Sequence, residues 1–209
     1  MKKGIILNLN KFKLLDYVTR NKILIFLCAL YILGILISTI LLTENNQIFN
    51  NAKVFLEEYI LLYKTSNFLN NFFMTFLRYA AILVLYFMFG TSMFAIALIP
   101  FLILWQGLWF GAVVMQLYKI YGIYGIAFNA IILIPPTVIF VLCCFFAAKY
   151  SLNFSISIAK LSLPKAKPAT LQDNFNKYSS VYLIIVCVII VCSLIEILLN
   201  LLFLKFFNF

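Results

Sequence analysis

The sequence predicts an all-α, polytopic membrane protein of about five transmembrane helices, N-terminus in and C-terminus out. Three observations lead there. Of the 209 residues, 66% are hydrophobic and only 11% charged, whereas soluble domains are nearer half apolar and a quarter charged. A chain of this size has too much surface to hide that excess from water, so much of it must face lipid. The apolar residues also gather into runs of about 20, the length a helix needs to cross the hydrocarbon core, and the basic residues gather in the segments between alternate runs.

Taken in order, residues 1–22 are basic (Lys2, Lys3, Lys11, Lys13, Arg20 and Lys22 against Asp16), with Ile5, Leu9, Phe12, Leu15 and Tyr17 between the charges. That spacing suits an amphipathic helix on the membrane surface and a solvated basic tail equally. The first run, 23–42, reads as a retained anchor: the leader is long, the run is long, and no small-residue cleavage site follows closely. Residues 43–71 form an Asn-rich outer loop. Within it AKVFLEEYILLY is only twelve residues long and carries two carboxylates, too short and polar to span, and it reads as an interfacial or packing helix. The long apolar stretch from Phe72 to Tyr150 is cut by the turn signals Gly90-Thr91-Ser92 and Tyr118–Gly122. This gives spans near 72–89, 93–117 and 125–148. A polar cytoplasmic loop, 149–181, precedes the last span near 182–204.

Charge sets the orientation, because Lys- and Arg-rich loops stay in the cytoplasm. With the N-terminus inside, the inner side holds eleven basic and two acidic residues and the outer side five and four, a net +9 against +1. The basic surplus is thus an orientation signal and a contact for anionic lipid, and it does not call for nucleic acid. The five cysteines all lie in apolar runs, where they read as small hydrophobes rather than a disulfide framework. The chain has no histidine, which removes the commonest acid-base group and metal ligand.

Few residues stand out as candidates for chemistry. Intramembrane charges are costly and mark function or pairing. Arg78, some six residues into the second span, is long enough to reach the headgroups. Glu196, near the middle of the last span, is not, and must pair, be protonated or face other helices, with Arg78 an available partner. Gln106, Gly107 and Gly111 form a small-residue face that lets another backbone approach, with Gln106 able to hydrogen-bond across it. Gly34 and Ser38 are a lesser pair of the same kind. Pro100 and Pro135-Pro136 break helical hydrogen bonds and free carbonyls near Gln106 and Asn129. Packed kinks are favoured over a polar cavity there, although broken helices also occur at transporter sites. Glu57 and Glu58 are sequence neighbours and do not face each other on a helix. No catalytic constellation, cofactor motif or metal-ligand spacing is visible, so the chain reads as a non-enzyme.

The blocks FLRYAAILVLYFMFGTSMFAIALIPFLILWQGLWFGAVV and YGIYGIAFNAIILIPPTVIFVLCCFFAAKYSLNFS resemble the stage II sporulation protein M family. The shared features are a basic residue in span two (Arg78), a Gly-Thr/Ser turn (Gly90, Ser92) and a polar-Gly-x-x-x-Gly element (Gln106, Gly107, Gly111). A Gly-x-x-Gly turn (Gly122, Gly125), a proline in span four (Pro135) and a terminal serine (Ser155) follow. One departure is that Pro136 and Thr137 stand where a polar residue often follows that proline. The resemblance implies a multi-pass cell-membrane protein of the sporulation septum and mother-cell membrane. It implies a scaffold that holds a peptidoglycan amidase/endopeptidase and a lytic transglycosylase during forespore engulfment. The rival reading is a transporter or permease subunit, with Pro100, Pro135-Pro136, Asn129 and Glu196 lining one cavity.

Overall fold

A computed structural model describes residues 21–41, 47–161 and 169–207. The basic N-terminal segment 1–20 and the stretches 42–46 and 162–168 lie outside the described residues. Among those described, all regular structure is helical: α1 (Lys22–Leu41), α2 (Gln47–Thr65), α3 (Phe68–Gly90), α4 (Ala95–Phe128), α5 (Ile134–Leu161) and α6 (Ala169–Phe203). A wide helical turn, Asn129–Leu133, links α4 to α5, and a short tight turn, Leu204–Phe206, follows α6.

Four stretches are long and apolar enough to cross a membrane, and the third of these, Ala95–Lys160, runs for 66 residues. It cannot cross only once at that length, and Gly122 divides it. Its φ of 57° and ψ of −130° are non-helical, in a region that only glycine enters without strain. Gly125 then lies so close to the Leu117 carbonyl oxygen that a methyl group there would overlap it. The chain therefore doubles back, and five apolar arms result. Their ends are marked by contacts. Lys149 donates to the Asn21 side chain (3.3 Å), while Ser155 donates to Ser92 O (2.7 Å), which gathers the start of α1, the Gly90 turn and the far part of α5 at one end. At the other end, Phe128 meets Phe207 (5.4 Å between rings) and Lys119 sits over Phe49 of α2 (4.9 Å).

Several boundaries differ from those the sequence suggests. Most of the outer loop 43–71 is the helix α2, which packs Phe49, Ala52, Leu56, Tyr59, Ile60 and Tyr63 inward. Most of the cytoplasmic loop 149–181 is also helical, because α5 runs on to Leu161 and α6 starts at Ala169. Hydropathy marks only the part of a helix that lies in lipid, and a helix can continue beyond it until a breaker intervenes. The 118–122 turn narrows to Gly122 itself.

Lipid offers no hydrophobic drive between helices, so close backbone contact and hydrogen bonds must hold them. The tightest contact is α1 on α4. A methyl on Gly34 would overlap the Leu104 carbonyl oxygen and lie 2.8 Å from Leu108 N, and one on Gly107 would overlap the Tyr31 carbonyl oxygen. One turn along, Gly111 faces Ser38, whose Oγ would be 2.8 Å from such a methyl. The two small-residue pairs read separately from sequence are thus the two halves of one seam. Large side chains such as Ile40, Leu69, Phe94 and Leu183 cover the outer surface and are exposed, as a lipid-facing shell requires. Cys143, Cys144 and Cys192 are buried, but Cys28 and Cys187 lie on that outer surface, contrary to a uniformly buried role; all five thiols are free.

Candidate functional site: a buried carboxylate and the cavity beside it

Glu196 is buried on α6, its side chain 3% exposed. Left charged and unpaired at such a depth it would cost roughly 2.5–3.5 kcal/mol. The fold surrounds its carboxylate with donors from two other helices. Tyr79 of α3 donates a short hydrogen bond to Oε2. Tyr63 of α2 donates to Oε1 at 3.3 Å and pairs with Thr75 of α3 at 2.7 Å. Arg78 of α3 brings one guanidinium nitrogen to 3.9 Å from Oε1. That distance is an ion pair, too long for a hydrogen bond. One turn below Glu196, Asn200 donates to Tyr59 Oη at 2.7 Å and back to the Glu196 carbonyl at 2.9 Å.

The arrangement follows from helical spacing. Tyr59 and Tyr63, Thr75 and Tyr79, and Glu196 and Asn200 are three i, i+4 pairs, and each presents two polar groups from one face. Burial, then the neighbouring Glu196 carboxylate, pushes the phenols of Tyr59 and Tyr63 above their ordinary range, so both remain protonated. The cluster ties α2, α3 and α6 together at the end of the bundle where α2 lies.

Arg78 does not simply reach out to headgroups. It stacks under Phe55 (5.0 Å) and Tyr59 (5.4 Å) while it touches Glu196, and its side chain is 30% exposed. Gln106 does not bridge the α1/α4 seam either. It accepts from Tyr86 of α3 at 3.1 Å and points its amide at Cys144 of α5 at 3.8 Å, because a residue one place from Gly107 lies about 100° around the helix.

Beside the cluster is a cavity of about 510 Å³, walled by all six helices and the turn before α5. Arg78, Gln106, Pro136 and Glu196 line it, but Pro100, Asn129 and Pro135 do not. The transporter-type lining expected from the prolines is therefore met only at Pro136 and Glu196. The wide turn Asn129–Leu133 immediately precedes the proline pair, and the Ile134 N–H closes it onto the Asn129 carbonyl. Asn129 is buried there with its Oδ1 lacking a hydrogen-bond partner. The Cys192 thiol reaches the Pro136 carbonyl at 3.2 Å.

A second polar layer closes the opposite end. Ser151 of α5 donates to Tyr86 O (3.0 Å) and pairs with Tyr182 (2.6 Å), while Tyr178 donates to Phe87 O (2.8 Å). Gly90 leaves room for the Tyr178 hydroxyl, which a methyl group would overlap. The tyrosines of both layers were not singled out in the sequence.

The model of the family described as Stage II sporulation protein M matches residues 23–199 of the chain. No curated protein and no solved structure matches the chain.

Proposed function

The chain belongs to the stage II sporulation protein M family, and on that premise we propose that it is a non-catalytic membrane scaffold. In this reading it holds a peptidoglycan amidase/endopeptidase and a lytic transglycosylase at the sporulation septum while the mother-cell membrane engulfs the forespore. Membership itself makes it a sporulation-related membrane protein. The scaffold reading draws support chiefly from the Glu196 cluster. Among the described residues Glu196 is the most buried charge, and it holds α2 against α3 and α6, while α2 turns Lys53, Glu57 and Glu58 outward. A rigidly seated helix with an exposed polar face is suited to meeting a partner outside the bilayer. The test is affinity purification of the tagged protein from sporulating cells. The reading expects both hydrolases to co-purify, and to be lost when the outward face of α2 is reversed in charge. Recovery of neither enzyme overturns it.

The transporter reading retains one specific support, the cavity with Glu196 in its wall. A transporter that works through this carboxylate requires its charge to change during the cycle, and a scaffold does not.

A further inference from the structure

The 510 Å³ cavity is within the size range of small-ligand sites, and its walls are of two kinds. Ile82, Leu102 and Val141 contribute to an apolar slot, while Arg78 stands in its polar wall. Leu85 of α3 and Trp105 of α4 both line the cavity and are exposed on the outer surface, at 45% and 43%. The slot therefore opens sideways, between α3 and α4, onto the face of the bundle that meets lipid.

Arg78 also lines a second pocket of about 450 Å³ between α2 and α3, together with Leu62, Met74 and Leu77, with exposed Glu58 at its rim. The guanidinium is thus shared by an inner apolar chamber and an outer one toward the membrane surface. The carboxylate beside it already receives two tyrosine hydroxyls. Its contact with Arg78, at 3.9 Å and through one nitrogen, leaves the planar fork suited to a bidentate anion such as a phosphate.

We propose that this is a binding site for an anionic membrane phospholipid, one acyl chain in the inner cavity and the phosphate on Arg78. The inference does not depend on the scaffold reading, since a lipid seated there would occupy the wall of α3 in either case. An occupant with an apolar tail fills a lipid-open slot that water would fill poorly, and its phosphate can accept from the guanidinium nitrogens that the single contact with Glu196 leaves unused.

The test is native mass spectrometry of the full-length protein released from nanodiscs of phosphatidylglycerol or of phosphatidylcholine with identical chains. The expected result is one retained phosphatidylglycerol per chain and at least about tenfold weaker retention of phosphatidylcholine, whose choline cation offsets the charge of the same phosphate and is repelled by Arg78. Val141→Trp fills the slot and should abolish retention of both. Arg78→Gln combined with Glu196→Gln leaves no buried charge unpaired, and should keep a bound lipid but remove the headgroup preference. Helical content and thermal unfolding of each variant report folding independently of lipid. Retention unchanged in a folded Val141→Trp variant overturns the site, and equal retention of the two lipids by the wild type overturns the role of Arg78.

Discussion

Gly107→Ala is the sharpest probe of the α1/α4 seam, because the obstacle to the new methyl group is backbone. That methyl would overlap the Tyr31 carbonyl oxygen, and would lie 3.0 Å from its carbon and 3.2 Å from Tyr31 Cα. Carbon atoms in favourable contact sit about 3.5–4.0 Å apart. The helices must therefore separate by roughly 0.5–1 Å, a gap that forfeits a quarter to a half of the dispersion energy of each contact across it. Overpacking of this kind costs about 1–3 kcal/mol, and the seam includes Gly34 against Leu104 and Leu108, so the loss spreads along both helices. Gly111→Ala meets chiefly a side chain, the Ser38 Oγ at 2.8 Å and Cβ at 2.9 Å, with the Ile35 carbonyl oxygen less tightly placed at 3.1 Å. Ser38→Gly should therefore rescue Gly111→Ala and leave Gly107→Ala unrescued. The Ser38 hydroxyl has no hydrogen-bond partner among the described residues to lose, so its removal costs only the glycine penalty of about 0.5–1 kcal/mol. Equilibrium unfolding in detergent micelles with rising dodecyl sulfate measures each variant. A Gly107→Ala protein within about 0.5 kcal/mol of wild type, or one rescued by Ser38→Gly, would refute the close approach of the two backbones.

Glu196→Gln keeps the shape, one acceptor oxygen for Tyr79 and an amide that can donate to the Tyr63 hydroxyl, but it cannot titrate. It is expected to sustain near-normal protein level and engulfment, whereas Glu196→Lys beside Arg78 should fail to accumulate; a Gln variant that inserts normally yet blocks engulfment would refute the pure scaffold. Single cysteines at Glu57 and Lys177 in a cysteine-free background test orientation, the first expected to label from outside only and the second from inside only. Gly122→Ala meets nothing within 4 Å but must adopt φ +57°, so it is expected to cost about 1–3 kcal/mol through the backbone alone, and a neutral result in the same unfolding assay would remove the sharp reversal between α4 and α5.

How much was legible in the sequence follows from which forces leave a periodic trace. Lipid exposure does, so the apolar arms stood out and their number agrees with the fold. Close packing leaves a partial trace: Gly107 and Gly111 announced a seam, but nothing in one sequence says that Gly34 and Ser38 are its other half. The pairing of Arg78 with Glu196 was reachable because few charges lie at that depth, and an unpaired one is expensive. What escaped was the ring of neutral donors, since a tyrosine in an apolar run looks like any aromatic. The signal that was there is the i, i+4 spacing of Tyr59 with Tyr63 and of Thr75 with Tyr79, matched by Glu196 with Asn200 on the partner helix. Three such pairs on three helices form a polar layer only if all three faces meet, and that is a tertiary fact. Gln106 shows the same limit from the other side. Its adjacence to Gly107 suggested a shared contact, but neighbouring residues on a helix point about 100° apart, so proximity in sequence argued against a shared face rather than for it.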